Sequence, residues 1–194
     1  MSKERLTAFS DGVIAVIITI MVLELKVPHH ADLSALAELF PVFLSYILSF
    51  VYVGIYWNNH HHFFHTVKAV NGPILWGNMF LLFWLSLTPF ATAWMSENHF
   101  ATLPVAHYGL TLLMCGGAYK ILQLLVIHHQ GQDGALARAI GKDQKGNLSL
   151  GLYLVGIGMA FVTPIAALAI YALVALIWLI PDPRIERAIG DLEM

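Results

Sequence analysis

The sequence is poor in charge and in cysteine, and these shortages exclude several classes of protein. Charged residues make up 11% of the 194 positions, against about 25% in an ordinary soluble domain. Because 58% of the residues are hydrophobic, too few charges remain to cover a soluble core, and a disordered chain is also excluded. The single cysteine, Cys115, excludes an intramolecular disulfide framework. A net charge of −2 offers no basic surface to nucleic acid. The composition therefore predicts a polytopic membrane protein.

Apolar segments long enough to cross a bilayer recur along the chain. A membrane-spanning helix needs about 20 apolar residues, each rising about 1.5 Å. Six segments qualify as candidates, over residues 6–27, 36–64, 72–95, 103–128, 148–162 and 164–180. The last two are separated at Thr163–Pro164, because one helix over 148–180 would be about 50 Å long and the hydrocarbon core is about 30 Å thick. The sequence predicts an all-α membrane protein with six transmembrane helices, forming a single unit over residues 1–194.

Basic residues are concentrated on one side of this arrangement. The N-terminus, the second and fourth loops and the C-terminus carry Lys3, Arg5, Lys68, Arg138, Lys142, Lys145, Arg184 and Arg187. The opposite side carries only Lys26, and Lys120 falls inside the fourth helix. Because loops rich in lysine and arginine remain in the cytoplasm, both termini are predicted to be cytoplasmic.

Polar side chains at one end of the first three helices suggest a buried network. Ser10 and Asp11 lie near the start of the first helix, and Asn78 lies near the start of the third. The second helix ends at the same membrane level with the polar side chains of Trp57, His60, His61 and His62. Because a carboxylate in hydrocarbon needs hydrogen-bond donors, we expect histidine, asparagine or tryptophan to bond Ser10 and Asp11. Such a network favours a structural clamp on the first helix over catalysis.

The histidines also raise the question of a metal site or a proton relay. His61, His62 and His65 fall within about one helical turn, and imidazole suits zinc, iron or copper. Of the remaining histidines, only His128 and His129 are expected on the same side of the membrane, and no carboxylate completes a His-Glu-x-x-His pattern. The sequence therefore predicts no metal centre and no cofactor, and it leaves a proton relay as an alternative.

The first helix is apolar all round beyond Asp11, so periodicity alone does not assign its faces. At about 100° per residue, one stripe contains Gly12, Val16, Thr19, Ile20, Leu23 and Val27. Asp11 projects away from this stripe. A clamp on Asp11 would therefore turn the stripe away from helices two and three. An apolar stripe in such a position commonly faces lipid or packs in a core.

The run Arg5-x-x-x-Phe9-Ser10-Asp11 resembles the signature of the transmembrane protein 175 family of lysosomal and prokaryotic potassium channels. The resemblance extends to Leu23–Pro28, to Trp57 with the following histidines and to the closing segment Pro181–Arg187. It implies a potassium-selective cation channel, not an enzyme, built as a homotetramer of six-helix chains in the prokaryotic cell membrane, with potassium ions as the permeant species.

The same resemblance implies which residues form the pore. The first helices of four subunits line it, with Val16, Ile20 and Leu23 as apolar constriction rings and Thr19 also facing the axis. Arg5, Phe9, Ser10 and Asp11 belong to the structural motif. The chain lacks the Thr-Val-Gly-Tyr-Gly filter of other potassium channels, and its first constriction residue is valine where the family often has isoleucine or leucine.

Two other functions remain as alternatives. A proton-coupled secondary transporter could use the histidine cluster, and so could a membrane enzyme. A transporter is expected to contain inverted repeats with broken helices, yet the second half of the chain has no copy of Phe9-Ser10-Asp11. An enzyme would need more ligands on the same side of the membrane.

Overall fold

The computed structural model describes residues 2–131, 135–141 and 143–180, and every regular element in these ranges is an α-helix. The helices are α1 (Lys3–Leu23), α2 (Leu33–Glu38), α3 (Phe40–His65), α4 (Gly72–Ser86), α5 (Thr88–Glu97), α6 (Thr102–Gln130), α7 (Ala135–Ile140), α8 (Gln144–Ala160) and α9 (Pro164–Leu179). Lys142 and the closing segment with Arg184 and Arg187, which entered the charge argument, lie outside the described residues.

Four segments in the described ranges are long and apolar enough to cross a membrane: α1, α3, α4 with α5, and α6. They correspond to the first four predicted spans, and the chain is an all-α, multi-pass membrane protein. Helix α8 has 17 residues and α9 has 16. At a rise of about 1.5 Å per residue, each is about 24–26 Å long and falls short of a hydrocarbon core of about 30 Å.

The helix boundaries differ from the predicted ones at three places, and proline lies near each. Helix α1 ends at Leu23 instead of reaching Val27, five residues before Pro28. The predicted second span is divided, because α2 ends before Leu39 and Pro41 lies in the first turn of α3. The third span is interrupted at Leu87, with Pro89 in the first turn of α5. Proline fixes φ and has no amide donor, so it is tolerated in a first helical turn and breaks a continuous helix.

The chain also breaks between α8 and α9, where the sequence placed a tight turn. Helix α8 ends at Ala160. Phe161 and Val162 form the turn, and Pro164 begins α9.

An ion pair connects the ends of α1 and α5. Lys26, just beyond α1, donates to Glu97 at the end of α5 at 2.8 Å. The hydrogen bond and the charge of Glu97 both raise the pKa of Lys26 above its ordinary value. Both side chains are exposed, so this pair contributes little to stability.

Two apolar clusters hold the bundle together. The first joins α1, α3, α4 and α6 and contains Leu6, Ile14, Phe63 and Leu81. The second joins α3, α5, α6, α8 and α9 around buried tyrosines, with the Tyr52 hydroxyl donating to the Tyr171 carbonyl oxygen at 2.5 Å. Helix α1 packs against α3, α4 and α5 only on one side. The bundle therefore positions α1 from a single direction.

Small residues permit the close approach of α8 and α9. A Cβ atom added at Gly156 would overlap the ring of the fully buried Tyr171, whereas a Cβ added at Gly158 would meet no atom within 4 Å. Helices in membranes associate through such close packing, because lipid gives no hydrophobic drive between them.

We expect Gly156→Ala to lower the midpoint of thermal unfolding in detergent and Gly158→Ala to leave it unchanged or raise it. Overpacking a tight site costs about 1–3 kcal/mol, whereas Gly to Ala at an open helical position gains up to about 1 kcal/mol. Equal effects of the two substitutions would contradict the packing described around Tyr171.

Candidate functional site

One end of α1 is joined to α3 by a hydrogen bond between side chains. The indole Nε1 of Trp57 donates to Asp11 Oδ1 at 3.0 Å. The ring of His61, one turn further along α3, stacks on the Trp57 ring with 6.1 Å between centroids and 28° between planes. The donor to Asp11 is therefore tryptophan, and the His61 ring packs against the ring of that tryptophan.

A second, fully buried connection joins α1, α4 and α3. Asn78 Nδ2 donates to Ser10 Oγ at 2.9 Å, and Asn78 Oδ1 lies 2.8 Å from His60 Nε2. Because that amide oxygen only accepts, His60 carries its proton on Nε2. The Ser10 hydroxyl in turn donates to the Leu6 carbonyl oxygen at 2.9 Å. The donors run in one direction, from α3 through α4 into the backbone of α1.

These two connections bring together five of the nine residues assigned to the structural network from sequence. We call Ser10, Asp11, Trp57, His60 and Asn78 the α1 polar network. His61 touches it only through Trp57, and the His62 ring lies edge-on to His61 at 5.6 Å. Arg5 and Phe9 are exposed on α1, away from its buried face. The structure thus separates the motif residues of the network, buried Ser10 and half-buried Asp11, from the motif residues on the open face.

The anchored side of α1 is also its buried side. Leu6, Ser10, Ile14, Ile17 and Met21 are buried against the bundle. These positions recur every three or four residues, so they share one helical face. The polar network and the apolar contacts therefore fix the same rotation of α1 about its axis.

The opposite side of α1 is largely exposed in the described part of the chain. Val16 is 54% exposed, Ile20 43% and Leu23 77%, and Gly12 and Thr19 are also exposed. We call these five residues the α1 stripe. Val27, which the sequence placed on the same stripe, lies beyond the end of α1. The structure thus places all four predicted pore-lining residues on one open face.

Thr19 contributes the only hydroxyl group on this stripe, and that hydroxyl already donates its proton to a backbone carbonyl. Its Oγ1 donates to the Val16 carbonyl oxygen at 2.9 Å. The lone pairs of the hydroxyl oxygen are left on the open face, where they can accept a hydrogen bond or contact a cation.

Sequence reasoning missed an aromatic wall beside the stripe. An open groove between α1 and α5 is lined by Val16 and Ile20 on one side and by Phe90 and Trp94 on the other. His107 of α6 supports that wall, with its ring 5.1 Å from Trp94. No local pattern in the sequence indicates that α5 packs beside α1.

The partner of Lys120 was also missed. Its Nζ lies 3.6 Å from Asp143 Oδ2 and donates to Asn147 Oδ1. Asp143 also caps α8 by accepting from the Gly146 amide at 3.2 Å. The charge inside α6 is therefore paired with the start of α8. Among the described residues, no group of three or more histidine, cysteine or acidic side chains converges as a metal centre.

Comparison with known proteins identifies the class to which this arrangement belongs. The family model described as the endosomal/lysosomal potassium channel TMEM175 matches residues 5–89, a range that holds the polar network and the stripe. A potassium channel of Chryseobacterium sp. (strain P1-3) is 56% identical over 191 residues, covering 98% of this chain and 100% of the relative. A potassium channel of Streptomyces collinus (strain DSM 40733 / Tue 365) is 32% identical over 201 residues, covering 95% and 96% of the two chains.

A solved structure shows the same fold. The crystal structure of a lysosomal potassium-selective channel TMEM175 homolog from Chamaesiphon minutus superposes with a TM-score of 0.81 at 29% identity, covering 91% of this chain and 95% of that one. The chain therefore belongs to the TMEM175 family. This is a family of ion channels and not of enzymes, so the membrane-enzyme alternative is excluded.

We expect Asn78→Leu to destabilise the protein, because it keeps a similar volume but leaves the buried His60 Nε2 without its acceptor. Leaving one buried polar group unsatisfied costs about 1–3 kcal/mol. The measurement is the midpoint of unfolding of the purified protein in detergent. Met79→Leu, at the exposed neighbouring position, is the control and should change stability by less than about 0.5 kcal/mol.

A double-mutant cycle distinguishes this network from a general packing effect. Ser10→Ala combined with Asn78→Leu should cost less than the sum of the two single changes, since both remove the same hydrogen bond. Strictly additive costs would show that Ser10 and Asn78 do not interact.

Proposed function

We propose that this protein is a potassium-selective cation channel whose pore is lined by α1. The relatives described as potassium channels extend over nearly the whole chain, which supports the activity. The observation that carries the pore assignment is the exposed α1 stripe, which lies opposite the face that holds α1 to its own bundle. An apolar stripe that the described part of the chain leaves largely exposed is suited to face an axis shared with other copies.

The number of copies is taken from the family resemblance, which implies a homotetramer. One α1 cannot enclose a pore, and closed cyclic symmetry gives every copy the same surroundings. We propose a homotetramer in which four α1 helices surround the axis. Each chain contributes six crossings, with the α8–α9 hairpin supplying the last two. Its helices are a few ångströms short of an average bilayer, a mismatch that local thinning accommodates at modest cost.

Orientation is assigned from the charges. Lys3, Arg5 and Lys68 lie at the end of the bundle that holds the α1 polar network, whereas Lys26 lies at the other end of α1. By the preference of basic residues for the cytoplasm, both termini and the polar network are cytoplasmic, and the membrane is the prokaryotic cell membrane.

Permeation then depends on apolar rings. Val16, Ile20 and Leu23 are four and three residues apart, so fourfold rings of these side chains lie about 6 Å and about 4.5 Å apart along the axis. A narrow apolar constriction excludes water and closes by dewetting. An ion passes when the rings widen slightly, with part of its hydration removed. The Thr19 oxygen lies between the rings at Val16 and Ile20, where it can replace a lost water.

The α1 polar network acts on this pore without touching the ion. By fixing the rotation of α1, the bonds of Ser10 to Asn78 and of Asp11 to Trp57 determine which side chains reach the axis. A small rotation or outward displacement of α1 opens the rings. A proton-coupled transporter is disfavoured, because the matching relatives are channels and the chain carries a single copy of the Phe9-Ser10-Asp11 motif.

We expect Val16→Asn and Leu23→Asn to increase cation flux and reduce the preference for potassium over sodium, since an amide hydrates a constriction that valine or leucine keeps dry. The measurement is potassium and sodium flux from proteoliposomes of the purified protein. Val22→Asn is the matched control: Val22 is 44% exposed on α1 and points about 110° away from the middle of the stripe, at about 100° per residue.

The control makes the test decisive. Passive flux that changes with Val16→Asn and Leu23→Asn but not with Val22→Asn supports the pore assignment. Flux that requires a proton gradient and ignores the stripe substitutions would overturn both the pore and the channel mechanism.

A further inference from the structure

The end of α3 carries a pair of histidines that the pore mechanism does not use. His61 and His65 are both exposed in the last two turns of the helix. Their Nε2 atoms lie 3.1 Å apart, and their rings are 4.6 Å apart at 70°. Residues four apart lie on the same helical face, so the backbone itself holds the two imidazoles together.

The spacing of the two nitrogens fits a shared metal ion. Imidazole nitrogen binds Zn²⁺ at about 2.0–2.1 Å, so two such ligands are about 3.3 Å apart at a tetrahedral angle and about 2.9 Å apart at a right angle. The observed 3.1 Å lies between these values. In the absence of metal, one nitrogen donates its proton to the other. Because 3.1 Å is shorter than two Zn–N bonds laid end to end, a metal ion would lie to one side of the line between the nitrogens, and the rings would turn so that both lone pairs point at it.

We propose that His61 and His65 form a binding site for a divalent transition-metal ion of the zinc, nickel or copper class. Imidazole suits these ions, whereas magnesium and calcium select oxygen ligands. Two protein ligands leave the other positions to water, so the site is open and exchangeable. A closed structural zinc site would have four protein ligands. His62 does not belong to it, because the next residue along a helix points about 100° away.

The position of the site connects it to α1. His61 stacks on Trp57, and Trp57 donates to Asp11. A metal ion that fixes the His61 ring also restrains Trp57, and through it the residue that holds α1. Binding should therefore change the rate of ion flux without entering the pore. This consequence rests on the proposed channel function, whereas the binding itself does not.

The first test measures binding alone, on the full-length detergent-purified protein carrying no polyhistidine tag. Titration calorimetry with zinc chloride should show one ion per chain. His61→Ala and His65→Ala should each weaken zinc binding at least tenfold, because one imidazole cannot chelate. His62→Ala is the matched control and should leave the affinity unchanged. Magnesium chloride should give no heat of binding at the same concentrations.

The site is overturned if zinc binds equally well to the protein with both alanines, or if His62→Ala weakens binding as much as His65→Ala. Size-exclusion chromatography of each variant shows whether a loss of zinc binding is caused by misfolding. His65→Gln keeps a polar side chain of similar reach. It should weaken zinc binding as much as His65→Ala and still elute as the assembled protein.

The second test separates the site from the channel. Zinc added on the side of the α3 end should change potassium flux in wild-type proteoliposomes and in His62→Ala, but not in His61→Ala or His65→Ala. Binding without any change in flux would overturn the connection through Trp57 and leave the site in place. If wild-type protein shows no potassium flux at all, the proposed function fails, and the calorimetry still decides the metal site.

Discussion

The rotation of α1 about its own axis is the constraint on which the rest of the arrangement depends. A helix that is apolar on every side has no preferred face in a bilayer, because lipid and protein interior are equally apolar. Hydrogen bonds between polar side chains of neighbouring helices remove that freedom, since an unsatisfied polar group in hydrocarbon is costly. The bonds from Asn78 to Ser10 and from Trp57 to Asp11 therefore select one rotation. They leave Val16, Ile20 and Leu23 uncovered, which is the condition for these side chains to form rings between copies.

Much of this arrangement can be predicted from residue type and position alone. Polar residues at one membrane level had to find partners, and Ser10, Asp11, Trp57, His60 and Asn78 lie together in the structure. The particular pairs could not be predicted. Tryptophan, asparagine and histidine can all donate to a carboxylate, and only the relative rotation and height of α3 and α4 decide that Trp57 reaches Asp11. The stripe was predictable as a face, but its exposure depends on how the rest of the bundle packs.

The parts that sequence reasoning missed are long-range or depend on where a helix stops. Proline signals a break within a few residues but does not specify which residue ends the helix. The sequence therefore did not predict that α1 ends at Leu23 or that the third span divides at Leu87. The pairing of Lys120 with Asp143 joins residues far apart in sequence, and so does the groove between α1 and α5.

The central claim is that the α1 stripe faces an axis shared by four copies, and distances between copies test it most directly. Cys115 is the free cysteine and is buried, so Cys115→Ser provides a background for one spin label per chain. A label at Leu23→Cys should give two distances in a ratio of about 1.4, as adjacent and diagonal copies do under fourfold symmetry. Both should be shorter than the corresponding distances for a label at Val22→Cys. A single distance, or shorter distances at Val22, would contradict the account.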